Sequence, residues 1–487
     1  MKNVLIIGFG PHAKRIYFPI LNQWGQEWGA KLVYGVDLKS QQQTIETYLQ
    51  AQNSKLPFFY IDEDEKLYDE LHPNVEKRLD KIVEEYSIDG VVISTEPLVH
   101  MPYAVWALKK DLHILMDKPI STKFNVSTDL NKAQELKTDY DQLAKLYFDK
   151  KKNNKSLSFT LMAQRRYHPA FNKIKELINE VKLKTNCPVT SVQSFHTDGQ
   201  WRFPTEIVEQ IYHPYCQGYG KCSHSGYHTI DIIPWLIEAG ETEEKHFDNV
   251  DIFTNFLRPL DFLKQFNLDD YRKLFKDFDK YNKYTEAEYE SLMGDYGEID
   301  AFCSFSFKSQ DKILTLASDN LVHNGFAQRN WITAEGRDLY KGNGRVRHES
   351  HYIEQGPFQA ISFISYQGKE VDPENKIGIY DVSGEYHLDI HVFRNQKMFP
   401  EWKNYTKYSM QDLAENHLDG YSRGHQEDAR RKCIQEFTEG MYGKTRERSN
   451  YSSSLEDHKK GVYITSGIYE SAIRRRANDN PVVNIKF

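Results

Sequence analysis

The chain opens on an apolar run, Val4-Leu5-Ile6-Ile7, that passes directly into Gly8-Phe9-Gly10-Pro11-His12-Ala13. Few folds begin with a buried strand, a Gly-x-Gly-x-x-Ala turn and a helix. The absent side chains let the turn close tightly and let its backbone approach a pyrophosphate at the helix N-terminus. Glycine-rich turns after strands are common, so the turn alone is weak. Its position after the first strand, with acidic Asp37 ending a second strand over 31–36, strengthens it.

From Lys2 to about Ile120, short apolar runs alternate with helical stretches, as parallel α/β units require. The β-branched run 89–95 predicts a buried strand, Pro97 a turn, 101–110 a helix and His113-Ile114-Leu115-Met116 the next strand. A polar, lysine-rich helical stretch between Thr122 and Lys155 marks a boundary. Beyond it, 157–163, 189–195, 301–307, 313–317, 358–366 and 386–393 read as strands. Several alternate polar and apolar residues, which suits an antiparallel or mixed sheet with one covered face. The charged, aromatic stretch 261–298 has helical spacing and reads as an insertion. The expected division is a dinucleotide-binding domain over 1–125, a linker helix over 126–155, an α/β domain over 156–445, and a C-terminal helix and strand over 446–487.

At 487 residues the chain exceeds what one core usually supports, and two domains are expected. With 63 Lys+Arg against 70 Asp+Glu, the net charge of −7 offers no basic footprint for nucleic acid. No stretch approaches the ~20 apolar residues of a membrane span. The opening apolar run ends at Gly8, short of the roughly seven residues a signal-peptide core needs. Five cysteines, an odd and scattered set, do not form a disulfide framework. A cytoplasmic protein is expected.

Asp37 is placed to accept hydrogen bonds from the adenosine ribose and to repel a 2′-phosphate, favouring NAD, while nearby Lys39 leaves NADP open. Met116-Asp117-Lys118-Pro119 puts a lysine at the end of a later strand. Together with Ile93-Ser94-Thr95-Glu96-Pro97-Leu98-Val99-His100, this segment resembles the Gfo/Idh/MocA family of glucose-fructose oxidoreductases, inositol dehydrogenases and rhizopine-catabolism enzymes. That family carries Thr-Pro-x-x-x-His after its fourth strand and Glu-Lys-Pro after its fifth. Here Glu96 is inserted before the proline and Asp117 replaces the glutamate. The run from Gln164 to Pro169 is similar to the segment that opens the family's second domain, Trp201-Arg202 lies where members carry a tryptophan beside the substrate, and 467–472 with 481–483 resemble the last helix and strand. Gly218 to Asp231 is similar to the stretch leading into Asp-x-Gly-x-His-x-x-Asp, with His228 on the catalytic histidine, Asp231 on the closing aspartate and His224 at the usual aspartate. Residues four apart on a helix share a face, so His224 and His228 are expected to point into one pocket.

The resemblance implies an N-terminal Rossmann domain with a doubly wound parallel sheet, a C-terminal α/β domain on a large, mostly antiparallel open sheet, and an active site between them. It implies that Gly8, Phe9, Gly10, Pro11, His12, Asp37, Ser94, Thr95, Glu96, His100, Asp117 and Lys118 bind the nicotinamide cofactor. Lys118, His228 and His224 would be catalytic, and Arg165, Trp201, Tyr227 and Asp231 would meet the substrate. Oxidising a secondary alcohol needs a base for the hydroxyl proton, and imidazole titrates near neutral pH. Lys118 would stabilise the charge developing on oxygen or relay the proton. The expected substrate is a sugar, cyclitol or related polyol, and the expected assembly a homodimer or homotetramer. A glycosidase using tightly held NAD and a non-catalytic nicotinamide sensor are the alternatives.

A zinc reading rests on His213, Cys216, Cys222, His224 and His228 within sixteen residues, but only His224-x-x-x-His228 has a familiar spacing, and no metal is expected. The glycine-rich stretch 340–349 reads as a surface hairpin and 423–431 as the solvent-facing start of a charged helix. Sheet propensity accounts for most of the 31 tyrosines, with sugar stacking as the other use.

Overall fold

The opening run forms β1 (Lys2–Ile7), buried from Val4 onward, in a computed structural model that describes residues 1–330, 344–368, 377–414, 425–444 and 453–487. Its partners are β2 (Ala30–Leu38), β3 (Phe58–Ile61), β4 (Gly90–Ile93), β5 (His113–Met116) and β6 (Phe159–Leu161), in the order β3-β2-β1-β4-β5-β6. All neighbours are parallel. The strand order reverses at β1, which opens a crevice beyond its C-terminal end, where the glycine turn lies. Helix α1 (Pro11–Arg15) leaves that turn, breaks at Ile16 and continues as α2 (Tyr17–Trp24). Between the later strands run α3 (Gln42–Ala51), α4 (Pro73–Glu85), α5 (His100–Lys109) and α6 (Leu130–Asn153).

Residues 157–163, grouped above with the second sheet, instead supply β6, which pairs in parallel with β5. β5 is buried along its whole length, so a free edge there would leave backbone groups without partners in an apolar setting. The lysine-rich stretch is thus part of a crossover connection as well as a boundary. The linear division at 125, 155 and 445 is replaced by an interleaved one. One unit comprises Met1–Thr122, Lys137–His168 and Arg423–Val462; the other comprises Lys123–Leu136, Pro169–Ser422 and Tyr463–Phe487.

The second unit contains α7 (Pro169–Thr185), β7 (Ser191–Thr197), α8 (Pro204–Glu209), α9 (Tyr227–Ala239), β8 (Asn249–Leu257), β9 (Asp300–Ser309), β10 (Lys312–Val322), β11 (Val346–Gln355), β12 (Gln359–Gly368), β13 (Asp389–Arg394), β14 (Tyr405–Ser409) and β15 (Val483–Lys486). These strands form one nine-stranded sheet in the order β14-β13-β12-β11-β7-β10-β9-β8-β15. Every pair is antiparallel except β7 with β10. Burial alternates along β9, with Ala301, Cys303, Phe305 and Phe307 inward, as a sheet covered on one face requires. α9 packs on β7 and β10 and is apolar around nearly its whole circumference, which explains its near-complete burial.

The 261–298 insertion is helical, as its spacing predicts: α10 (Pro259–Gln265), α11 (Leu268–Leu274), α12 (Phe278–Tyr281) and α13 (Glu286–Met293) join β8 to β9. β3 in the first sheet and β8, β11 and β14 in the second were not foreseen. β8 carries Asp251 and Asn255, which strands usually avoid, and β11 buries Glu349 and His351 where a hydrophobic alternation would signal a strand. Of the expected hairpin, 340–343 lie outside the described residues, while 346–349 begin β11. The chain then supplies α14 (Met410–Ala414), α15 (His425–Gly440) and α16 (Lys459–Arg476). Residues 423–424 lie outside the described residues, and the solvent-facing reading is corrected for Asp428, Arg430 and Arg431, which are buried on α15, the helix that packs on β5 and β6.

Candidate functional site

In the first unit, Gly8 has φ +86°, a conformation that glycine adopts without steric cost. A Cβ at Gly8 would lie 2.6 Å from the Ser94 carbonyl oxygen, so the turns after β1 and β4 close against each other only without a side chain. A Cβ at Gly10 would meet nothing within 4 Å, which leaves open space in front of α1. Pro11 occupies the first helical position, where its missing N–H is not needed. The Phe9 amide donates to Asp37 Oδ2 at 2.6 Å and the Leu38 amide to Oδ1 at 2.7 Å, fixing the carboxylate at the end of β2 beside the turn. Burial pushes the Asp37 carboxyl up from its ordinary value, opposed by these two amides. The Phe9 ring packs among Phe18, Tyr48 and Phe58, so Phe9 offers the site its backbone.

After β4, Thr95 Oγ1 donates to the Glu96 carbonyl at 3.2 Å. The inserted Glu96 pairs with Lys66 at 2.6 Å. His100 is buried with Nδ1 2.7 Å from the Pro119 carbonyl and Nε2 3.2 Å from the Thr95 carbonyl, tying together the loops that end β4 and β5. The Lys118 amide donates to Asp117 Oδ1 at 2.9 Å, and His12 Nε2 lies 3.7 Å from Asp117 Oδ2. Burial pushes the His12 imidazole down to about 3, opposed by Asp117. Burial alone would raise the Asp117 carboxyl, but His12, Lys118 and His100 together hold it below its ordinary value.

These residues fit a dinucleotide. The turn is bare of side chains where a diphosphate would approach, and Asp37 keeps acceptor capacity for ribose hydroxyls beyond its two amide donors. Ser94 Oγ and His12 Nε2 are buried polar atoms with no hydrogen bond of their own.

In the second unit, Cys222–Gly226 forms a π-turn ahead of α9. His224 sits in it with non-helical φ −92° and ψ −110°, so the four-apart rule does not carry it to the face of His228. The expected sharing of one face is therefore corrected: the His224 ring stacks on His213 with centroids 4.2 Å apart and meets the edge of Tyr219. His228 lies in the first turn of α9 and is 8% exposed, between the buried Tyr227 and Asp231. Trp201 packs into the aromatic insertion, donating from Nε1 to the Tyr271 hydroxyl at 3.1 Å and touching Phe203, Phe266 and Phe275. Arg165 is buried in the 3-10 turn Gln164–Tyr167 of the first unit. Of the predicted residues, the cofactor set, Lys118 and Arg165 belong to the first unit, and Trp201, His224, Tyr227, His228 and Asp231 to the second.

A polar network around Lys221 went unforeseen. Lys221 Nζ, fully buried, lies 2.6 Å from Asp198 Oδ2, 2.8 Å from His196 Nδ1 and 3.0 Å from Ser225 Oγ, and Ser225 Oγ also donates to Asp198 at 2.6 Å. Arg345 donates from Nη2 to Asp198 Oδ1 at 2.9 Å and from Nε to the Asp198 carbonyl at 2.7 Å. Burial would raise the Asp198 carboxyl, but Lys221, His196 and Arg345 hold it well below the usual range. The Tyr215 hydroxyl bonds His323 Nδ1, and burial pushes His323 down to about 3. Glu298 accepts from the Cys222 amide at 2.8 Å and the Tyr469 hydroxyl at 3.0 Å, holding the π-turn from its other side. The available signal was a lysine inside an otherwise apolar and glycine-rich stretch, a placement that demands a buried counter-charge.

Residues 2–149 match the model of an oxidoreductase family with an NAD-binding Rossmann fold, GFO_IDH_MocA. No curated protein matches the chain. Among solved structures, an oxidoreductase from Agrobacterium radiobacter in complex with NAD+, L-tartaric acid and magnesium is 11% identical, covers 100% of this chain and 98% of its own, and superposes with a TM-score of 0.56. A levoglucosan dehydrogenase in complex with NADH and levoglucosan is 13% identical, with 99% of each chain covered and a TM-score of 0.56. An aldose-aldose oxidoreductase from Caulobacter crescentus complexed with glycerol is 11% identical, covers 100% of this chain and 99% of its own, and has a TM-score of 0.54. At these identities the likeness is one of fold.

Proposed function

Because residues 2–149 belong to the Gfo/Idh/MocA oxidoreductases, whose Rossmann domain binds NAD, we propose that this protein moves hydride between that cofactor and a secondary alcohol of a sugar, cyclitol or related polyol. The observation that carries the reading is the pair of groups at the ends of β2 and β5: Asp37, anchored by the Phe9 and Leu38 amides, and Lys118, beside Asp117. The fold likeness to a levoglucosan dehydrogenase and an aldose-aldose oxidoreductase supports a sugar-type substrate. Bound NAD supplies the hydride acceptor. Asp37 receives the ribose hydroxyls and disfavours a 2′-phosphate. His228 accepts the proton of the alcohol, and Lys118 donates a hydrogen bond to its oxygen as charge develops there. Asp231, Tyr227, Trp201 and Arg165 orient the substrate, and His224 contributes from the π-turn that precedes α9, off the face of His228. The reading extends to a cytoplasmic homo-oligomer built on the sheet face that exposes Phe302, Leu316 and Tyr352.

The test is a panel of sugars and polyols with NAD+ or NADP+, followed by the absorbance of the reduced nicotinamide. The wild type reduces NAD+ with at least one of them. Lys118→Met and His228→Ala lower kcat by about 10²- to 10⁴-fold, the usual worth of positioned proton transfer. Full turnover in both variants overturns the assignment. NADH binding without turnover of any polyol would return the sensor reading, and retained cofactor with cleavage of a glycoside the glycosidase.

A further inference from the structure

Charged side chains rarely enter a protein interior without a job, because a buried charge is costly unless paired. α15 brings three into the first unit: Asp428, Arg430 and Arg431, at 3%, 8% and 5% exposure. Asp428 engages Arg431 at 2.8 Å and Lys432 at 3.2 Å, a local arrangement within the helix. Glu427 does something different. It accepts from Arg430 Nη1 at 3.2 Å and, across 412 residues of chain, from Arg15 Nη1 at 2.6 Å. Arg15 closes α1, the helix that leaves the Gly8–Ala13 turn, so one carboxylate gathers two guanidiniums at the helix that carries the turn. His12, within that turn, is subject to the positive charge of Arg430, Arg15 and Lys118.

We infer that α15 completes the dinucleotide site: Arg430, held in place with Arg15 by Glu427, supplies positive potential at the Gly8–Ala13 turn for the cofactor's diphosphate. The inference rests on the reading of that turn as the cofactor site and adds a contributor from the far end of the chain. Arg430 and Arg15 attract the diphosphate, whereas Glu427 positions them and itself repels it. A merely structural role for the trio would make every substitution in it weaken binding. The electrostatic role instead predicts opposite signs.

The experiment is NADH binding to the full-length protein, followed by nicotinamide fluorescence at low and moderate salt, with thermal melting of each variant to verify folding. Arg430→Met is expected to raise Kd about tenfold at low salt, since it removes a positive charge near the diphosphate that burial keeps from being fully screened. Arg430→Lys keeps the charge and recovers most of the affinity. Glu427→Gln, which removes the repelling charge and keeps the shape, tightens NADH binding about threefold at low salt. Should Arg430→Met fail to fold, Arg430→Lys and Glu427→Gln carry the test. Arg430→Met binding as tightly as wild type, or Glu427→Gln binding more weakly, overturns the inference while leaving the cofactor reading standing. A wild-type protein that binds no NADH overturns both.

Discussion

Lys221→Met tests whether the buried network of the second unit is a coupled device. The substitution removes an ammonium that is fully buried, 2.6 Å from Asp198 Oδ2, 2.8 Å from His196 Nδ1 and 3.0 Å from Ser225 Oγ. Breaking a buried ion pair by removing one partner costs ~3–5 kcal/mol, because the other charge is left without compensation. Asp198 is not stranded here, since Arg345 stays 2.9 Å from Oδ1 and Ser225 still donates to Oδ2 at 2.6 Å. The lower end of the range, about 3 kcal/mol, is therefore expected. In a unit of this size each kcal/mol moves the melting temperature by about 2 °C, so calorimetry should show a fall of about 6 °C. The double variant Asp198→Asn/Lys221→Met removes both charges and should regain about 1–2 kcal/mol over the sum of the single losses. The acid branch follows from sign. Asp198 titrates lower folded than unfolded, so its contribution is present above the unfolded value of about 3.9 and lost as pH falls through the folded one. Lys221→Met should flatten that branch. A single variant melting within a degree of wild type, or a double variant whose losses simply add, refutes the coupling.

Burial holds His12 at about 3, His113 at about 4 and His323 at about 3. These folded values lie below the unfolded value near 6.5, so the unfolded chain binds more protons below that pH and stability falls on acidification. At pH 5.5 each costs about 1.4 kcal/mol, about 3 kcal/mol in the first unit from His12 and His113 and half that in the second; melting temperatures unchanged between pH 7 and 5.5 would contradict this. Asp37→Ala should weaken NAD binding relative to NADP by about tenfold, the worth of one charge-assisted hydrogen bond plus relief of repulsion toward a 2′-phosphate. Competitive titration of the two cofactors measures it, and an unchanged ratio would show that Asp37 only braces the Phe9 amide.

The cofactor end of the molecule was legible because it is written in contiguous residues. A four-residue apolar run, two glycines and an acidic strand end imply β1, the turn and Asp37 by local stereochemistry alone, whereas the motif ending β5 was read by its resemblance to a family segment. The insertion was equally readable, since its aromatic residues recur at helical spacing. Periodicity failed where buried positions are polar: Glu349 and His351 point inward on β11, so no hydrophobic alternation announced that strand. It also failed at His224, where a π-turn broke the helical geometry that spacing presumes.

What the sequence determined by itself is thus the Rossmann start, the cofactor class it serves and the match of residues 2–149 to the Gfo/Idh/MocA oxidoreductases, because each rests on short contiguous segments. Only the tertiary structure decided that β6 joins the parallel sheet, that Lys221 is neutralised by Asp198 just past the end of β7, and that α15 returns its charges to α1. Those outcomes come from counter-charges and strand edges found tens to hundreds of residues away. A charged residue carries no local mark of where its partner lies, so a solvated charge and a buried one look alike until the chain has folded.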